Sequence, residues 1–278
     1  MISQRAPGRS APLDANSRNS LASHFGDMAS EAGKVIMTVY ASPSRVEAKA
    51  DGSPVTEADL AAERLIRTRL AEVLPDVPVI AEESFKGMAG PAPDRFVLVD
   101  PLDGTREFIS RNGEFTVNIA LVENRKPIAG CIYAPALGLL FVAGDAAYRA
   151  TVRPGEKPPA LTMMQTLRTR PYPPEGLRAM TSRSHLDPES EALLKRLPLA
   201  SSKPAGSALK FCLIAQGDGD IYPRLAPTME WDTAAGQAVL TAAGGCVIGR
   251  DGSPLRYGKA DAGFRNDGFV AWGGEPLR

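Results

Sequence analysis

Cysteine is scarce in this chain. It occurs only at Cys131, Cys212 and Cys246 among 278 residues, an odd number at wide spacings that forms neither a disulfide framework nor a paired zinc motif. A reducing cytoplasm is the simplest setting for such a sequence. Net charge is missing as well: 32 Lys and Arg balance 32 Asp and Glu. No global field therefore draws in nucleic acid polymers or acidic membranes, and an anionic substrate must be met by local chemistry. No apolar run approaches the roughly 18 residues of a membrane-spanning helix, which leaves only peripheral attachment to a membrane open. The first twenty residues carry Arg5, Arg9 and Arg18 among Ser, Ala, Pro and Asn, without the apolar stretch of a secretory signal. Residues 1–18 are expected to be a disordered tail. There is no internal repeat.

What is present describes an ordinary globular protein, with 44% hydrophobic and 23% charged residues. The length suits one large domain or two of common size, with room for a cleft. Leu21, Phe25, Met28, Ala32, Val35 and Val39 recur every three or four residues and predict a helix over 21–40. "TEADLAAERLIRTRLAEV" predicts a second, opened by Thr56 and Asp59 in capping-box spacing and closed by Pro75. Five β-rich runs follow, "VPVIA", "RFVLVD", "FTVNIALV", "PIAGCIYAP" and "GLLFVAG". Their connections are too short for crossover helices, so a largely antiparallel sheet is expected. Residues 151–176 are proline-rich and contain one possible strand. Beyond them, strand-like and helix-like segments alternate. The expected class is α/β: an α+β N-terminal half over 19–165 and an α/β C-terminal half over 166–278.

Chemistry concentrates first in "FVLVDPLDGTREF", residues 96–108. The aspartyl-nucleophile signature of the haloacid dehalogenases, D-x-D-G-T, does not fit, because Pro101 stands two before Asp103. Asp100 and Asp103 are instead three apart, and a turn between them can aim both carboxylates and the Leu102 carbonyl at one point. Hard divalent cations want such oxygen ligands. Glu82 and Glu83, ending "VPVIAEE", could complete the set, and the Gly104, Thr105 and Arg106 amides would open a short helix. The plain alternative is an acidic turn with Asp103 capping that helix and Glu82 and Glu83 solvated. Asp232 in "EWDTAAGQAVLTAAGG" has the same two readings, metal ligand or N-cap beside a core Trp231.

"AEES", "DPLDGT" and "WDTAAG", in that order, resemble the signature of the lithium-sensitive, magnesium-dependent phosphatases that include the inositol monophosphatases. Within that superfamily "KADGSPVTEADL", "DPLDGTREFISRNGEFTVNIAL", "SRSH", "GSALKFCLIAQGDGDIYPR" and "PTMEWDTAAG" resemble the CysQ-type 3'(2'),5'-bisphosphate nucleotidases, from about residue 20 to 275.

The resemblance implies a layered α-β-α-β-α sandwich with Mg²⁺ and substrate between its halves. It implies that Glu82, Asp100 and the Leu102 carbonyl hold one Mg²⁺, that Asp100, Asp103 and Asp232 hold a second, and that a third could sit near Glu82 with Asp59 behind it. Thr105, with Glu82 close by, would orient the attacking water. Asp59 thus has two compatible readings, helix cap and catalytic carboxylate. Ser182 and His185 of "SRSH" and Gly206, Ser207 and Lys210 of "GSALK" would form nucleotide-binding loops, with Lys210 on the 5'-phosphate. Lys49 would lie near the phosphate undergoing hydrolysis, close to Leu102, Asp103, Gly104, Thr105 and Asp232. For His185 a surface loop, and for Lys210 a stem packed along "FCLIA", remain the alternatives. The implied reaction is hydrolysis of 3'-phosphoadenosine 5'-phosphate to AMP and phosphate in sulfur metabolism. An inositol-phosphate or fructose-1,6-bisphosphate phosphatase, and a silent binding protein of the same fold, are the other readings. Cys131, Cys212 and Cys246 sit in apolar runs and read as core residues.

Overall fold

A computed structural model describes residues 12–42, 46–48, 54–183 and 186–277. Helix α1 (Ala15–Tyr40) begins earlier than its apolar periodicity announces. Asp14 is the reason: its carboxylate accepts the Ser17 amide at 2.8 Å and caps the helix before the first buried residue, Leu21. The expected tail is therefore helical from Ala15, and residues 1–11 lie outside the described residues. A hairpin of β1 (Val46–Ala48) and β2 (Pro54–Thr56) leads into α2 (Glu57–Val73). Its capping box is complete: Thr56 Oγ1 accepts the Ala58 amide, and Asp59 Oδ2 accepts the Thr56 amide at 2.7 Å.

Seven strands then form one sheet: β3 (Val79–Ala81), β4 (Arg95–Asp103), β5 (Thr116–Glu123), β6 (Lys126–Ala134), β7 (Leu139–Ala143), β8 (Ala147–Thr151) and β9 (Gln165–Thr166). They lie side by side in chain order, β3 parallel to β4 and all later pairs antiparallel. The five apolar runs account for β3 to β7. β8 escaped them because "AYRAT" is only half buried, next to the two-residue edge strand β9, and carries no apolar run.

The short helix α3 (Thr105–Ile109) separates β4 from β5. After β10 (Leu177–Ser182) come α4 (Pro188–Leu194), β11 (Leu199–Ala205), α5 (Leu209–Ala215), β12 (Ile221–Arg224), β13 (Thr228–Met229), α6 (Ala234–Ala242), β14 (Cys246–Gly249), β15 (Arg265–Asn266) and β16 (Phe269–Trp272). A second, mixed sheet runs β11-β10-β12-β16-β14. β13 and β15 pair as a small ribbon.

Five layers result. α1 and α2 cover one face of the seven-stranded sheet, and α6 with α5 covers the other. The same α5 and α6 pack on the five-stranded sheet, whose far face carries α4. β4 shows how sequence builds this. Successive strand residues face opposite sides, so Phe96 and Leu98 enter the core shared with α6, while Val97 and Val99 enter the core under α1 and α2. A strand buried on both faces reads as a continuous apolar run. The Cys131 and Cys212 thiols are core groups, as expected, and Cys246 is half buried.

Candidate functional site

The apolar run of β4 ends in a bulge. Asp100 faces Asn118 on β5 and Asp103 faces Thr116, so three steps on one strand oppose two on the other. Pro101 supplies no ladder N–H, and the Leu102 amide turns to Asp100 Oδ1 at 3.0 Å. Local chemistry of D-P-L-D thus bends the strand. Gly104 continues the turn at φ +91°, the left-handed region open to glycine, and α3 starts at Thr105.

Three other elements bring carboxylates to this bulge. Asp59, 1% exposed, comes from the first turn of α2. Glu82 follows β3, its amide bonded to Val99 O at 3.1 Å, and the next amide, that of Glu83, donates to buried Glu63 of α2 at 2.7 Å. Asp232 comes from the turn between β13 and α6. It is not the helix cap: α6 begins at Ala234 behind Thr233, and Asp232 Oδ2 accepts the Met229 amide at 3.0 Å and the Thr228 hydroxyl. Oxygens of Glu82, Asp100 and Asp232 lie within 4.8 Å of one another. Asp103 does not cap α3 either; its Oδ2 accepts Ala208 N at 2.7 Å and Asn118 Nδ2 at 3.3 Å.

The cluster is electrostatically expensive as it stands. Burial, then the charges of Glu82, Asp103, Asp232 and Asp59, holds the Asp100 carboxyl well above the ordinary carboxylate range. Burial and Asp232 push Asp103 up to about 6, against the pull of Lys210 and Arg224. An all-oxygen donor set whose acids resist ionising together is the chemistry a hard divalent cation compensates.

Glu82, Asp103, Gly104, Thr105, Ser182, Ser207, Lys210 and Asp232 line one cavity of about 280 Å³. Asp59, Asp100, Leu102 and Gly206 stand behind its wall. Thr105 Oγ1 lies 3.5 Å from both Asp59 Oδ1 and the Leu102 carbonyl. Asp59 thus caps α2 with one oxygen and turns the other to Thr105. Lys210 is buried, its ammonium bonded to the Ala205 and Ser207 carbonyls and set 4.9 Å over the Tyr222 ring. Burial lowers it to about 8. Lys49 and His185 lie outside the described residues.

Among the charged residues that line the cavity, sequence reading missed Glu107 and Arg224, and named Arg106 only for its amide. Arg224 ends β12, and its buried Nε has no hydrogen-bond partner among the described residues. An arginine closing the apolar run "DIY-P-R" was the available signal.

Comparison with known proteins gives the family and the fold. Residues 18–269 match the inositol monophosphatase family. A 3'(2'),5'-bisphosphate nucleotidase CysQ of Escherichia coli (strain K12) is 44% identical over 246 residues, 87% of this chain and 95% of that protein. The crystal structure of CysQ from Bacteroides thetaiotaomicron superposes with a TM-score of 0.78 at 39% identity, covering 91% of this chain and 97% of that one. An inositol monophosphatase from Thermotoga maritima shares the fold at a TM-score of 0.71 and 24% identity. The chain belongs to the inositol monophosphatase family.

Proposed function

We propose that the protein is a 3'(2'),5'-bisphosphate nucleotidase that hydrolyses 3'-phosphoadenosine 5'-phosphate to AMP and phosphate. The observation that carries this is the mixed acidic and basic lining of the cavity at the β4 bulge. Carboxylates of Glu82, Asp103 and Asp232 line it together with the cations of Lys210 and Arg224. A substrate with two phosphates fits such a site, one met through cations that the carboxylates hold and one met by Lys210 and Arg224. The likeness to the Escherichia coli nucleotidase supports the same substrate class.

The carboxylate end has the donors for Mg²⁺, two ions or three: Glu82, Asp100 and the Leu102 carbonyl for one, Asp100, Asp103 and Asp232 for another. Bound there, Mg²⁺ supplies Lewis-acid stabilisation of phosphoryl charge and acidifies water. The protein's own groups do the rest. Asp59 Oδ2 is fixed by the Thr56 amide and hydroxyl, each at 2.7 Å, which leaves Oδ1 for the Thr105 hydroxyl. With its proton directed to Asp59, Thr105 Oγ1 offers lone pairs to a water and orients it toward phosphorus, with Glu82 close by. The new bond joins water oxygen to phosphorus, the P–O3' bond breaks, and the ribose oxygen leaves with a proton. Positioning and charge neutralisation suffice for so loose a transition state. Ser182, Gly206, Ser207 and Lys210 would hold the nucleotide. Free cysteines fit a reducing cytoplasm, and among the described residues no helix is long and apolar enough to cross a membrane.

The test is phosphate release from the nucleotide, inositol 1-phosphate and fructose 1,6-bisphosphate with Mg²⁺. Preference for the nucleotide is expected. Preference for either sugar phosphate overturns the substrate assignment, and release from none overturns the enzyme reading.

A further inference from the structure

A bisphosphate substrate requires its two subsites to stand a fixed distance apart, and here Asp103 ends β4 while Lys210 stands on α5. The carboxylate end belongs chiefly to the β4 bulge. Lys210 is the second residue of α5, and the turn before that helix, Gly206–Ser207–Ala208, follows β11. Something must hold that turn in register with the bulge.

Glu114 does so from outside the cavity. It sits between α3 and β5, 23% exposed at its side chain. Its Oε2 accepts the Gly206 amide at 2.7 Å and Arg183 Nε at 2.8 Å, and Oε1 accepts Arg183 Nη2 at 2.7 Å. Its backbone carbonyl lies 2.8 Å from Ser207 Oγ, which is also 2.7 Å from the Asp103 carbonyl. Arg183, just past β10, reaches Pro204 O at 3.3 Å and so ties the neighbouring strand end into the same knot. Gly206 is pressed so close that a Cβ there would stand 2.6 Å from Glu114 O and 3.0 Å from Glu107 Cγ. Ser207 adopts φ +50°, a strained value for a residue with a side chain. That strain persists only where neighbours impose it. Burial alone would raise the Glu114 carboxyl, but the Arg183 bonds and the Gly206 amide outweigh it and hold it below its usual value.

An ion pair this exposed is ordinarily worth little. The bond to a backbone amide of the substrate turn gives this one a task. We propose that Glu114 is a positioning residue, a clasp strapped by Arg183, that sets the separation between the carboxylate end and the cationic end of the cavity. The proposal rests on the bisphosphate reading above. It gives Glu114 control of how well one molecule fills both ends, with little effect on the reaction at the carboxylates.

The experiment compares wild type with Glu114→Gln and Arg183→Ala in steady-state kinetics with 3'-phosphoadenosine 5'-phosphate, and in product inhibition by AMP and by inorganic phosphate. In Glu114→Gln, KM and the AMP inhibition constant are expected to rise roughly tenfold, with kcat and the phosphate inhibition constant changing less than about threefold. Arg183→Ala, altered on the exposed side, should show the same pattern more weakly. Hydrogen exchange at the Gly206 amide should quicken in both. Equal weakening of AMP and phosphate alongside a lowered Tm would reduce Glu114 to a structural brace, and unchanged constants would remove it from recognition; either overturns the proposal. Absence of nucleotide turnover by wild type would defeat the bisphosphate reading instead. The clasp is then judged on Gly206 exchange and on KM for the phosphomonoester that wild type does hydrolyse, where an unchanged pair of values rejects it.

Discussion

Asp103 Oδ2, on the seven-stranded sheet, accepts the Ala208 amide from the turn ahead of α5 at 2.7 Å. One carboxylate oxygen thus joins the acidic bulge to the substrate turn. Asp103→Asn removes the charge and keeps an oxygen able to accept that amide. Activity should fall at least about a hundredfold, while circular dichroism and Tm stay at wild-type values or Tm rises. An unfolded variant would show that Asp103 serves chiefly as the structural tie to the Ala208 turn.

The pH dependence of the metal-free protein follows from the crowded acids. Asp103 is pushed up to about 6 from an ordinary 3.8, and Asp100 is also raised, so the folded state binds these protons more tightly than the unfolded one. Metal-free stability should therefore decline as pH rises from the ordinary carboxylate range through about 6. Melting in chelator at about pH 5 and about pH 8 checks the sign. Added Mg²⁺ should raise Tm more at the higher pH, where the charges it offsets are fully developed. An equal or smaller rise there would count against a cation at the cluster.

Lys210 carries the opposite expectation. Burial first, and then the Arg224 charge, lowers its ammonium to about 8, against the pull of Asp103. Competitive inhibition by AMP should weaken as pH climbs through about 8 in wild type. Lys210→Met should bind AMP weakly throughout and lack that inflection. Retention of the inflection in the variant would assign it elsewhere.

Asp220, inside the quoted "QGDGDIYPR", is a structural pin. It is fully buried and accepts Arg170 Nε at 2.9 Å, Arg170 Nη2 at 2.8 Å and the Arg178 amide at 2.7 Å. Asp220→Ala strands those donors and should cost about 3–5 kcal/mol in urea unfolding. Loss of activity with unchanged stability would place Asp220 in the chemistry instead.

Much of this was legible because local patterns carried it. The β4 run, the Thr56–Asp59 box and the D-P-L-D turn are each set by neighbours within a few residues. The cap of α6 was foreseen one residue too early, because Asp232 resembles a cap in sequence while its carboxylate is engaged backward with β13. β11, "LASSKPA", is polar and mostly exposed, so no apolar run marks it; its pairing with β10 makes it a strand. Glu114 was illegible for a related reason. Its partner amide lies 92 residues away, and no spacing rule reaches that far.

The α5–α6 layer belongs to both sheets at once. A single core passes from Phe96 and Ile132 through Phe211 and Val239 to Tyr222 and Phe269. A chain severed in the proline-rich stretch would leave each fragment with a bare apolar flank and its share of an unfinished catalytic cavity. The core that both sheets share should therefore make the two halves melt together, in one calorimetric transition.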